Sequence, residues 1–213
     1  MNAPLRTEVV SSAAAAVIET GRAAALRGWV PATSGNFSVR ADGDEIAITR
    51  SGVDKGALQP HDILMQRLDA PLQPGSSAEA DLHMRLYRDD RNIGAIFHVH
   101  SPAATVLGRA HAADGAIVIE GWELQKALRG VASHEEAVET PVFTNSQNVP
   151  ELAERVAARL LTPLRADARR APGYLLAGHG LYAWGRDATE AWRHLEALET
   201  LFQQIFDYRS YRP

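Results

Sequence analysis

The 213-residue chain contains no cysteine, which excludes both a disulfide framework and a thiolate metal site. Any bound metal must therefore rest on imidazole, carboxylate, water or substrate oxygen. A basic block is missing too. The 22 Lys and Arg stand against 26 Asp and Glu, a formal net charge of -4, and no cluster stands ready to neutralise phosphates in the way a nucleic-acid binder needs. Long apolar runs are scarce. Alanines crowd Ser11 to Ala16 and Ala23 to Ala25, but Glu8, Glu19, Arg22 and Arg27 interrupt them. A signal peptide is therefore not expected, nor a stretch long enough for a membrane helix.

What is present is ordinary for a globular chain with a proper core: 46% hydrophobic and 23% charged residues. No internal repeat or linker divides the sequence, so one domain over 1–213 is expected. The expectation is a cytoplasmic enzyme with no membrane or nucleic-acid partner.

Local patterns predict a mixed fold. Residues 7–28 read as a surface helix ending at Gly28. Glu45 to Thr49 alternates like a half-buried strand, after a turn at Gly43-Asp44. Ser77 is placed to cap a helix from Ala78 to Asp89 with Leu82, Leu86 and Tyr87 on one face. Ala95 to His100 is a strand by its branched and aromatic content, and Ser101-Pro102 opens a short helix. A helix over 149–161, strands near 174–176 and 181–183, and a long helix from Ala188 complete the pattern. For that last helix Asp187 and Glu190 suggest a capping box. Strands and helices without clean βαβ alternation point to an α+β or three-layer αβα arrangement on a largely antiparallel sheet.

His98 and His100 lie two apart on a predicted strand, so both side chains leave one face and can converge on a cation. His179 sits in Gly178-His179-Gly180, where glycines permit a tight turn and close backbone approach. Three histidines with an open position form a catalytic zinc set. The bland alternative is a group of partly buried, hydrogen-bonded rings. His61, His83, His111, His134 and His194 have no such company and read as structural or solvated. Ser34-Gly35-Asn36, Ser51-Gly52 and Ser76-Ser77 are each turns when taken singly. Together they offer hydroxyl and N–H groups that could cradle a phosphate, with Lys55 as a candidate charge.

The order of Thr33-Ser34-Gly35-Asn36, Ile48-Thr49-x-Ser51-Gly52, Ser76-Ser77-x-Glu79, His98-x-His100-Ser101 and Gly178-His179-Gly180 resembles the class II aldolase/adducin family along nearly the whole chain. Two segments, Glu120 to Leu128 and Pro141 to Gln147, look most like a dehydratase branch of that family. The resemblance implies an α/β fold, a three-layer αβα sandwich with a largely antiparallel central sheet. It implies one Zn2+ per subunit on His98, His100 and His179, and a small phosphorylated sugar as substrate. It places the substrate phosphate among Ser34, Gly35, Asn36, Ser51, Gly52, Ser76 and Ser77, and makes Glu123 the acid/base. It further implies a homotetramer with active sites near subunit interfaces. In the family's aldolases the acid/base falls instead at Glu79, although here Ala78 intervenes after Ser77. The alternative implied reaction is thus aldol cleavage or epimerisation of a sugar phosphate. A metal-free scaffold of the adducin type is the third reading, which loss of the histidine triad would mark and this sequence does not show.

Overall fold

A computed structural model describes residues 3–164 and 168–211 of the chain. Helix α1 (Ala3–Leu26) leads into three strands, β1 (Asn36–Asp42), β2 (Glu45–Thr49) and β3 (Ile63–Arg67). Next come α2 (Ala80–Asp89), β4 (Ala95–Val99), α3 (Pro102–Ala110), β5 (Ala116–Ile119) and β6 (Ala137–Phe143). The last third holds α4 (Val149–Leu161), β7 (Ala168–Arg170), β8 (Gly173–Leu176), β9 (Gly180–Gly185) and α5 (Ala188–Tyr211). The strands form one sheet in the order β3-β2-β1-β4-β9-β8-β6-β5, with β7 against β6. Among the described residues the pairs β6–β8 and β6–β7 are parallel and the others antiparallel.

Strand alternation sorts the chain into three layers. In β4, Ala95, Phe97 and Val99 enter a core shared with residues of α1, α3 and α5. Ile96 points the other way, into a core built with α2 and α4. His98 follows Ile96 by the two-residue period and so belongs to the α2/α4 face. This is the αβα sandwich, and burial of both sheet faces explains why β4 and β9 are apolar nearly throughout.

Several local expectations need correction. Glu8–Leu26 does reach the length and apolar content of a membrane span, with mean hydropathy 1.3. Val9, Val10, Val17 and Ile18 together with the alanines supply that hydropathy, and Ala13, Val17 and Ala24 are buried against the sheet. Helix α2 starts at Ala80 after Glu79, with no side-chain cap. Ser77 accepts only the Glu79 N–H, at 3.3 Å, because the chain turns there to deliver Glu79 inward. At α5, Asp187 accepts the Glu190 N–H at 2.7 Å. The Glu190 carboxylate instead takes Arg186, so only half of the capping box forms. The strands β3, β5, β6 and β7 escaped the sequence reading; β6 carries Glu139, Thr140 and Pro141, which blur its alternation.

Candidate metal centre and active-site cavity

Each histidine of the triad is aimed by a different piece of backbone. His98 sits in β4, opposite Asn36 of β1 and Tyr182 of β9. Its Nδ1–H donates to the Leu181 carbonyl at 3.0 Å, which leaves the Nε2 lone pair free. Tyr182 stacks on the same ring at 3.9 Å between centroids and 13° between planes. His100 lies just past the strand end, held by its N–H to the Trp29 carbonyl at 2.8 Å. His179 occupies the β8–β9 turn, where Gly178 has φ +68°, and a Cβ on Gly180 would come within 2.0 Å of the Val99 carbonyl oxygen. The flanking glycines therefore let the turn press against β4 and bring His179 to the other two rings.

The three Nε2 atoms meet. His98 lies 2.9 Å from His100 and 3.4 Å from His179. Glu79 joins them, its Oε1 2.9 Å from His179 Nε2 and its Oε2 3.8 Å from His98 Nε2. Burial pushes the His98 ring well below its usual range; burial and the His179 charge hold His100 at about 4. Three ring nitrogens and a carboxylate oxygen that converge in this way form a donor set for a cation. Tetrahedral zinc, with bonds of about 2.0–2.1 Å to nitrogen, places neighbouring donors about 3.3 Å apart, close to the separations here. The donor set fits the ion. Burial opposes charge on Glu79, but the hydrogen bond with His179 and the fields of His98, His179 and His100 outweigh it, leaving a carboxylate with a pKa of about 2. Asn36 Nδ2 donates to Glu79 Oε2 at 2.7 Å.

A cavity of about 310 Å³ opens beside the cluster. Ser34, Gly35, Asn36, Ser51, Gly52 and Ser77 line one part of it, along with Thr33 and Arg50. Ser34 Oγ and Asn36 Oδ1 are buried without a partner among the described residues, as groups meant for a ligand are. Ser76 does not line the cavity; it forms a bridge with Arg50. Leu82, Val149, Leu152 and Leu176 form an apolar part of the lining, and Asn145, Ser146 and Gln147 border it.

Backbone strain marks the loop before β1. Ala32 and Thr33 carry φ of 51° and 66°, a region that a β-branched residue such as Thr33 rarely adopts. Lys55 holds it there, donating to the carbonyls of Thr33 at 2.7 Å and Val53 at 2.8 Å. Lys55 is thus a buried tie between two of the hydroxyl-bearing loops, outside the cavity lining, while Arg50 supplies the cation that lines it.

Glu123 lies elsewhere. It begins a short 3-10 helix (Glu123–Ala127) with a side chain 72% exposed, bonded to Lys126 and 3.6 Å from His134. It borders a separate surface depression with Trp122, Leu124, Ala127 and Gln204. Sequence reasoning set Glu79 aside because of the extra residue Ala78. The signal that would have kept it is the same-face register of Asn36 and His98, which is visible only after strand pairing.

Residues 15–206 match the family of the Class II Aldolase and Adducin N-terminal domain. The chain belongs to that family. It is 62% identical to the methylthioribulose-1-phosphate dehydratase of Bradyrhizobium sp. over 194 residues, covering 91% of this chain and 90% of the relative. It is 46% identical to the enzyme of that name from Parvibaculum lavamentivorans, over 90% and 91% of the two chains. The crystal structure of L-fuculose-1-phosphate aldolase from Thermus thermophilus superposes with a TM-score of 0.75 at 29% identity, covering 97% and 98%. The three-layer fold and the family resemblance are borne out.

Proposed function

We propose that this chain is a zinc-dependent lyase that converts 5-methylthioribulose 1-phosphate into 2,3-diketo-5-methylthiopentyl 1-phosphate and water, a step of methionine salvage in the cytoplasm. One observation carries the reading. A cluster of His98, His100, His179 and Glu79 stands in a cavity with hydroxyl, amide and guanidinium groups in one part and aliphatic side chains in another. A substrate with a phosphate at one terminus and a methylthio group at the other needs both parts.

His98, His100 and His179 hold the divalent ion, which supplies Lewis acidity toward a carbonyl-bearing substrate. Ser34, Gly35, Asn36, Ser51, Gly52, Ser76 and Ser77 form the phosphate loops, with Arg50 as their cation; Ser76 acts there through its bridge to Arg50. Leu82, Val149, Leu152 and Leu176 receive the methylthio end. Remote binding at both termini fixes the reacting carbons.

The reaction removes a proton from C3 and the hydroxyl from C4 as water, and the enol so formed ketonises. Leaving hydroxide needs an acid. Glu79 stands among the metal-ligand histidines, accepting from Asn36 and facing His179, and in this reading it shapes the polar floor while another group gives the proton. Glu123 is the donor in our reading, and in a single chain it faces solvent. It therefore reaches the cavity of a neighbouring copy in a homotetramer, where burial raises its pKa toward the range of a working acid.

The test is turnover and metal content together. Purified protein should bind about one zinc per chain and lose water from this substrate only when loaded. Protein that binds zinc yet leaves the substrate untouched sinks the reaction; protein without zinc sinks the centre. Glu79 beside the triad favours a second reading, carbon–carbon cleavage of a sugar phosphate. If Glu123→Gln stays active while Glu79→Gln is dead, that reading replaces the first.

A further inference from the structure

The helix pair α2/α4 carries a second cavity. The first opens near the N-terminal ends of these helices, beside Leu82, Val149 and Leu152. Near their C-terminal ends a cavity of about 270 Å³ is lined by Leu86, Ile93, Ala157, Leu160, Pro172 and Trp184, with Arg129 and Arg170 among them. None of these residues belongs to the metal centre or the phosphate loops.

Its charges are unevenly answered. Asp89 is held by two 2.9 Å bonds from Arg85, and Asp90 accepts from the Asn92 backbone and side chain at 2.8 and 2.9 Å. Both carboxylates at the rim are thus engaged. The guanidinium of Arg129 makes no hydrogen bond among the described residues; its ion partner is Glu190, at 3.6 Å. Glu190 already takes Arg186 through three bonds of 2.8 to 3.0 Å and has Arg193 at 3.5 Å. One carboxylate facing three guanidiniums leaves positive charge over. Arg170 gives one donor to the Leu160 carbonyl and another to the Thr162 carbonyl at 2.8 Å, while its Nε is buried with no partner among the described residues. Burial and the charge of Arg159 both work against its guanidinium, a cost that an anion would offset.

We infer that this cavity is a second ligand site, for a small monocarboxylate with a branched or ring-shaped apolar body. The carboxylate pairs with Arg129 and its charge offsets the half-buried guanidinium of Arg170, and the body packs on Leu86, Ile93, Leu160 and Trp184. An apolar cavity with few convergent donors is the usual form of a small-molecule site, and guanidinium suits a planar carboxylate.

The probe is 4-methylpentanoate, titrated into the zinc-loaded, assembled protein by calorimetry, with neutral 4-methylpentanamide as its control. The acid binds saturably and the amide at least about tenfold more weakly, the loss expected for one charge-assisted pair. Arg129→Gln, at an exposed position, leaves turnover and melting temperature unchanged and weakens the acid by the same about tenfold. Ala157→Met, which narrows the cavity, also weakens it. Equal binding of acid and amide overturns the site, as does an affinity for the acid that Arg129→Gln does not change. The latter result means the carboxylate has gone to the metal instead. No saturable binding up to about 10 mM, the weak end for so small a ligand, overturns it as well. None of these outcomes depends on which reaction the metal centre catalyses.

Discussion

At the scale of residues, the centre divides its work between side chains that hold and side chains that transfer. His179 closes the triad from a turn whose glycines allow no substitute. His179→Ala should therefore leave a folded protein that retains little zinc by mass spectrometry and loses turnover by at least about a hundredfold. Glu79 accepts Asn36 Nδ2–H at one oxygen and sets its other oxygen 2.9 Å from His179 Nε2, so its carboxylate places negative charge beside the ion, and Glu79→Gln should weaken zinc about 10–100-fold. Glu123→Gln should behave oppositely, with zinc content unchanged and kcat collapsed. A zinc-depleted Glu123→Gln would remove the distinction between the two glutamates. The carbonyl of Leu181 and the ring of Tyr182 fix His98 through backbone and stacking, features that no spacing of histidines in a sequence displays.

At the scale of elements, two buried ionisable groups set how the pieces lock. Lys55 ties the strained Ala32-Thr33 segment to the loop at Val53. Lys55→Met deprives two carbonyls of their partner, at about 1–3 kcal/mol where they are buried, and lets the loop relax. KM should rise about tenfold or more while kcat changes little, since the loop binds but does not react. On α5, Glu199 is buried against Ser101, the N-cap of α3. Burial lifts its pKa from an ordinary 4.5 to about 8. The folded state therefore keeps a proton that the unfolded chain sheds. Stability from this group is full below pH 4.5 and is lost as pH rises toward about 8, at up to about 1.4 kcal/mol per pH unit. Melting temperatures between pH 5 and 8 should fall less steeply for Glu199→Gln than for the natural chain; parallel curves would refute the assignment.

At the scale of the whole molecule, the metal cluster and Glu123 occupy separate surfaces of one chain. If neighbouring copies complete each other's sites, two inactive variants should rescue each other. Mixing His179→Ala with Glu123→Gln under subunit exchange should restore up to about a quarter of the natural activity, by simple statistics of random pairing. No recovery in mixtures shown to exchange would place the acid within the same chain. Tyr208 and Tyr211 near the end of α5 are exposed at 49% and 82%, and Trp122 meets Tyr208 edge-on at 5.9 Å. An aromatic surface beside the Glu123 segment is where a neighbouring copy would pack. Phe202 is fully buried in the subunit core, and Trp192 packs on Trp29 at 5.8 Å.

The residue order alone picked out the candidate metal ligands: no cysteine, two histidines one pleat apart, and a third between glycines. The branched and aromatic content of β4 and the apolar stripe on α2 are local signals too, and they left an α+β or a three-layer αβα arrangement open. The helix over 149–161 and the strand Glu45–Thr49 were legible for the same reason. What was not legible depends on contacts distant in sequence. That Lys55 is a tie and Arg50 a liner follows from which loops pack together. That Glu79 enters the cluster follows from β1 pairing with β4, 43 residues bringing Asn36 to Glu79. Glu123 shows the same division most sharply: the family resemblance named it, and the folded chain placed it on an outer surface. A carboxylate's role is set by its neighbours' field and burial, and those neighbours are assembled only by the fold.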